Sequence, residues 1–130
     1  MSNIINLEPL CAKFSTEIVN CHDCSVADKE NLINKALGVL VENGFYAMNI
    51  FLLSAKSADY GRKVFDKIQE LLIHEDLHLI KNKKRDLEGL ENIRGITKNL
   101  PDLILARKVV EQTLTFARYH CKAISKKEKA

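Results

Sequence analysis

The sequence has few of the residues that interrupt regular structure: 2 Pro and 5 Gly among 130 residues, and no Trp. A turn-rich β-sandwich or barrel needs such residues at its many turns, so their scarcity argues against both architectures. Hydrophobic residues make up 46% and charged residues 28% of the chain, which excludes a collagen-like or disordered protein. We therefore expect a single globular domain over residues 1–130.

The chain also lacks a recognisable targeting segment. Residues 1–6 contain neither a basic region nor an apolar run, so they do not resemble a signal peptide. The longest segment without a charge, residues 43–55, is shorter than the roughly 20 apolar residues that a membrane-spanning helix needs. We expect a cytoplasmic protein without membrane association, in which the four cysteines are thiols or metal ligands and form no disulfide.

Apolar side chains recur every three or four residues, which is the spacing of one helical face. This pattern predicts a first helix over residues 8–20. It predicts a second helix that begins after Ser25, with Asp28 completing a capping box, and ends at Gly44. Residues 45–53 are apolar almost throughout; we predict a short buried helix, because a lone strand would leave its backbone groups unpaired.

The apolar pattern after residue 53 predicts two more helices before the last one. The first begins at a cap formed by Ser57 or Asp59 and ends at about Leu72 or His74. A basic loop, residues 81–85, then leads into a short helix. Both helices have an apolar stripe on one side and charged residues on the other, as surface helices of a globular domain do.

The last helix has the clearest pattern. Gly95 is predicted to end the preceding short helix. Asn99 is predicted to cap the last helix, and Pro101 suits the first turn of that helix. One apolar face continues through Leu103, Ala106, Val110, Leu114, Ala117, Cys121 and Ile124. The basic tail, residues 125–130, is predicted to fray. The fold class we predict is all-α: a compact single-domain bundle of about six helices with a long carboxyl-terminal helix.

Two short motifs are typical of zinc sites. Residues 74–78 match H-E-x-x-H, but the apolar stripe fades there and no third ligand accompanies them, so we interpret them as a helix end with exposed histidines. Cys21 and Cys24 have C-x-x-C spacing, which His120 and Cys121 complete only if the first loop lies beside the last helix. We expect no metal and no other cofactor.

No glycine-rich phosphate loop, nucleophile elbow or convincing carboxylate pair occurs in the sequence, so we expect a non-catalytic protein. Charge is distributed unevenly: residues 1–60 have 4 Lys/Arg against 7 Asp/Glu, and residues 61–130 have 16 against 10. The candidates for RNA contact are Lys81, Lys83, Lys84 and Arg85 in the basic loop, and Arg107, Arg118 and Lys122 on one flank of the last helix, close to that loop. Glu111 interrupts this flank. The alternative is a solvated flank whose arginine stems cover the edge of the core.

Two segments resemble a known family. Residues 37–51 resemble the apolar helix, glycine turn and second apolar helix of the Cmr small-subunit family, the small all-helical subunit of type III-B CRISPR effector complexes. Residues 106–119 are similar to the long last helix of that family, which ends in an aromatic and basic cluster. The chain departs from the family in two respects. Phe116 replaces the usual tryptophan, and residues 21–24 form a loop with two cysteines and a histidine, here called the Cys/His loop.

The resemblance implies a non-catalytic subunit of an RNA-guided complex of antiviral defence. Such a subunit stacks in several copies beside a backbone of larger Cmr subunits and lines the groove that holds guide and target RNA. It is expected to bind RNA weakly on its own. The alternative from another class is a helical protein–protein adaptor whose basic surface meets an acidic protein and never contacts RNA.

Overall fold

The computed structural model describes residues 6–56 and 58–129, which form six α-helices and no β-strand. The helices are α1 (Glu8–Asn20), α2 (Val26–Asn43), α3 (Phe45–Ser54), α4 (Ala58–Ile73), α5 (Asp86–Thr97) and α6 (Leu100–Lys129). The all-α prediction is confirmed, including the long last helix of 30 residues. None of the described helices is both long and apolar enough to cross a membrane.

Helix ends lie where the predicted capping residues place them. The Ser25 hydroxyl accepts a hydrogen bond from the Asp28 backbone N–H at 3.1 Å, which starts α2. At its other end Gly44 has a φ of +98°, a conformation that side chains rarely adopt, and its N–H donates to the Leu40 carbonyl at 3.1 Å. The Asn99 side chain accepts from the Asp102 N–H at 3.1 Å and caps α6.

α6 lies at the centre of the packing, because α1, α2 and α5 all contact it. α3 lies against α2, α4 and α5, and α4 also packs on α1. α3 approaches α4 closely at Gly61, where any Cβ would run into the Leu52 carbonyl. Tyr60 is buried beside this contact and its hydroxyl donates to the Ile18 carbonyl at 3.0 Å, which ties α4 to α1.

Two predicted boundaries differ from the structure. Of the two residues predicted to cap α4, Ser57 lies outside the described residues and Asp59 is in the first turn of the helix. α5 continues two residues past Gly95, to Thr97, because Ile96 is buried in the core. The segment that we expected to fray is helical through residue 129.

Candidate nucleic-acid interface

The basic loop is held by two side chains, Gln69 of α4 and Asn92 of α5. Gln69 of α4 donates from Nε2 to the Lys84 carbonyl at 2.7 Å, and its Oε1 accepts from the Lys84 N–H at 3.2 Å. Asn92 of α5 donates to the same Oε1 at 2.9 Å and to the Asn82 carbonyl at 2.8 Å. The conformation of the loop is therefore fixed by hydrogen bonds from the two helices that it connects.

An ion-pair network neutralises part of the charge of this loop. Lys83 Nζ lies 3.1 Å from Glu70 Oε2, Lys67 Nζ lies 3.3 Å from Glu70 Oε1, and Lys67 Nζ also lies 3.2 Å from Glu17 Oε1. Burial pushes the pKa of Glu70 upward, but the hydrogen bonds from Lys83 and Lys67 outweigh it and leave that pKa lowered. Lys83 is thus a structural cation that joins the loop to α4.

Arg85 lies at a cleft whose charges balance. The cleft has a volume of about 330 Å³ and is lined by His22, Asp59, Arg62, Lys63, Asp66, Arg85 and Asp86. Arg62 Nε lies 3.1 Å from Asp86 Oδ1. Burial raises the pKa of Asp66, and Lys83 and Arg85 oppose that rise. With three cations facing three carboxylates, this cleft offers no excess positive charge to a polyanion.

The flank of α6 is different. Arg107 and Lys122 are exposed, and Arg118 is half-buried, with an Nε–H that is shielded from solvent and has no acceptor. Among the described residues, none of these three side chains forms a salt bridge. From Arg107 to Lys127 the sequence has six Lys/Arg and a single carboxylate, Glu111. The charge of this flank is therefore available to an external anion.

The structure separates the basic loop from the flank, which we expected to lie close together. Lys81 and Lys84 meet α6 across a cleft of about 390 Å³ that Asp102 also lines. Asp102 and Arg107 are five residues apart on α6, which places them about 140° apart around the helix. Lys81 and Lys84 therefore meet α6 on a different side from Arg107.

The Cys/His loop does lie beside the last helix, since nearby Cys24 is one of the groups that affect the pKa of Cys121. However, residues 6–56 and 58–129 contain no group of three His, Cys, Asp or Glu side chains placed to hold a metal ion. Burial raises the pKa of Cys21 to about 11, and it also raises the pKa of Cys11, Cys24 and Cys121. These thiols are protonated at neutral pH and are weak nucleophiles.

The H-E-x-x-H segment begins after a helix has ended. α4 stops at Ile73, and His74 lies in a turn where its Nδ1 accepts from the Asp76 N–H at 3.2 Å. His78 has a φ of +49°, which no α-helix contains. The two imidazoles therefore do not share a helical face, which is what the zinc-peptidase motif requires.

Two features escaped the sequence analysis. Gln69 carries no signal in the sequence, because a buried glutamine on an exposed-looking helix position resembles a surface residue. The second feature is a cleft between α1 and α6 lined by Glu8, Ala12, Phe116, Tyr119 and His120. The spacing of Phe116, Tyr119 and His120 at i, i+3 and i+4 was a usable signal, since such residues lie on one helical side.

No protein-family model, curated protein or solved structure matches this chain. The function is therefore inferred from the chemistry of the described surface, on which the cations of the α6 flank have no salt-bridge partner.

Proposed function

We propose that this chain is a non-catalytic RNA-binding subunit that contacts phosphates through the exposed flank of α6. The observation that carries the proposal is that Arg107, Arg118 and Lys122 form no salt bridge among the described residues. Phosphate groups supply the anions that the chain does not provide, and releasing their counterions drives binding. The three residues span about 22 Å along one helix, which is long enough for several nucleotides.

We propose that this activity belongs to an RNA-guided type III-B CRISPR effector complex, a setting that the resemblance of residues 37–51 and 106–119 to the Cmr small-subunit family supports. There the chain would stack in copies beside larger subunits and line the groove for guide and target RNA. Phosphate contacts carry no sequence information, so specificity would come from guide pairing. An all-α bundle with a basic last helix suits that role, since it offers a rigid, sequence-independent surface.

One observation favours the alternative, a helical adaptor for an acidic protein. Leu100 is 66% exposed and Ile104 is 51% exposed, and both lie on the same side of α6 as Arg107. Ile104 and Lys122 are 18 residues apart and therefore share one rotational position on the helix. Exposed apolar side chains beside cations fit a protein partner that has acidic and apolar residues.

The triple variant R107Q/R118Q/K122Q tests the proposal. Glutamine keeps part of each stem, which matters because the half-buried Arg118 also covers the core. We expect binding of labelled single-stranded RNA, measured by fluorescence anisotropy from about 50 to 200 mM salt, to lose about 2 units of log–log salt slope. The control K13Q/K35Q/K56Q removes the same charge from exposed positions in the acidic half and should leave the slope unchanged.

An unchanged slope in the triple variant would overturn RNA binding by this flank. The adaptor is the better description if two results occur together. The wild type binds RNA no better than polyglutamate of equal charge, and the triple variant loses its binding to polyglutamate. Circular dichroism confirms that each variant is folded before its binding is compared.

A further inference from the structure

The cleft between α1 and α6 has an aromatic wall. Its volume is about 330 Å³, and Phe116, Tyr119 and His120 line it from α6 while Glu8 and Ala12 line it from α1. Tyr119 is 61% exposed, whereas Tyr60 in the core is 1% exposed. A tyrosine ring held on a helix with so much of its surface in water is a ready platform for a second ring.

Cations adjoin this wall on one side. The Arg118 Cζ lies 6.0 Å from the centre of the Tyr119 ring, which places the guanidinium beside this wall. Lys122 is exposed and follows Tyr119 by three residues, on the adjacent turn. On the opposite side the cleft is bounded by Glu8, whose carboxylate repels phosphate. The charges around the cleft are therefore unequally distributed: the aromatic wall and the cations are on α6, and the anion is on α1.

We propose that this cleft holds one unpaired nucleobase of single-stranded RNA, stacked on Tyr119, with the adjoining phosphates at Arg118 and Lys122. The inference rests on the proposed function and adds a class of substrate to it. Every base has a π-face, so stacking on tyrosine tolerates any sequence. The bases of a duplex are already stacked on each other and paired, so they cannot enter. The position of Glu8 sets the orientation, because it keeps phosphates on the α6 side.

The first test compares Y119L and Y119F. We expect Y119L to weaken binding of a labelled single-stranded RNA by about fivefold or more and to leave the salt slope unchanged, because stacking neutralises no phosphate. Y119F keeps the ring and should stay within about twofold of the wild type. Binding of a blunt RNA duplex should be the same for all three proteins. Tyr119 is mostly exposed, so neither substitution should unfold the chain.

The second test observes the ring directly. The chain has three tyrosines and no tryptophan, so 3-fluorotyrosine labelling gives three ¹⁹F resonances, and the one missing from Y119F belongs to Tyr119. Single-stranded RNA should shift this resonance, and an abasic strand of the same length should shift it much less. The buried Tyr60 serves as the internal control.

Each outcome decides one proposal. Equal binding by Y119L and wild type, an equal loss on duplex RNA, or a Tyr119 resonance that the abasic strand shifts as strongly, overturns the stacking site. These results leave phosphate binding by the flank intact if the triple charge variant still flattens the salt slope. If that slope does not change, the flank proposal fails, and with it the placement of phosphates at Arg118 and Lys122. A base-dependent shift of the Tyr119 resonance would then support base stacking on Tyr119 alone.

Discussion

The basic loop and the α6 flank have similar charges in the sequence and opposite environments in the fold. Lys83 of the loop pairs with Glu70 at 3.1 Å, and Arg85 faces Asp59, Asp66 and Asp86 across a charged cleft. The cations of the flank have no such partners among the described residues. A basic segment therefore stabilises the fold when other helices bring carboxylates to it. It is free to bind a partner when they do not.

The largest expected effect concerns Gln69, whose hydrogen bonds hold the basic loop; we call these bonds the clamp. Q69L removes both hydrogen bonds to the Lys84 backbone and one from Asn92, and should lower the free energy of unfolding by about 2–3 kcal/mol in urea denaturation. Trypsin should cut the loosened loop faster, while the RNA salt slope stays unchanged. Q112L on α6 is the matched control, with little expected change. A stable Q69L would show that the loop does not depend on the clamp.

A second variant, G89A, disturbs the packing of α5 against the basic loop. An added Cβ in G89A would lie 2.6 Å from Phe65 Cε2 and 2.7 Å from the Lys84 carbonyl, so α5 must shift away from the loop. We expect a loss of about 1–2 kcal/mol in the same unfolding assay. Gly95 is the control, because open space surrounds it and G95A should stabilise α5 by about 0.5–1 kcal/mol. Equal behaviour of the two variants would contradict the packing described.

Single-charge variants sharpen the comparison in RNA binding. K122Q should reduce the log–log salt slope for single-stranded RNA by about 0.7, because one phosphate contact is lost. K83Q removes the same charge from a cation that Glu70 already neutralises, so the slope should hardly change. Anisotropy titrations at several salt concentrations measure both. The reverse order of the two effects would show that RNA contacts the loop.

The smallest expected effect is the pH dependence of the loop network. The pKa of Glu70 is lowered in the fold, so its ion pairs stabilise the protein above the unfolded-state pKa of about 4.3. That stabilisation is lost as the pH falls through the lowered pKa. The stability difference between wild type and E70Q should therefore be largest near neutral pH and vanish in acid, as thermal unfolding at several pH values can measure.

In K83Q the loss should be smaller and should be complete at higher pH, because the hydrogen bond that Lys83 gives to Glu70 is gone and the folded-state pKa of Glu70 moves back toward its ordinary value. A stability difference between wild type and E70Q that persists at low pH would contradict this account of the network.

Helix positions could be predicted because their causes are local. Ser25, Gly44 and Asn99 act on backbone groups within a few residues of themselves, and the apolar stripe of α6 repeats with the helical period. The end of α5 was missed, because the burial of Ile96 depends on what packs against it. The fit of Gly89 against Phe65 was also beyond the sequence, since it depends on how α4 and α5 meet.

The candidate site divides in the same way. An all-α chain with a basic second half could be predicted from the residues alone. So could the position of Arg107, Arg118 and Lys122 on one side of the last helix, because 3.6 residues per turn fix such relations. The packing of the helices was needed to show that Lys83 meets Glu70, that Lys81 and Lys84 lie on a different side of α6 from Arg107, and that Tyr119 lines an open cleft. Pairing between charges is set by distances in space, and packing determines those distances.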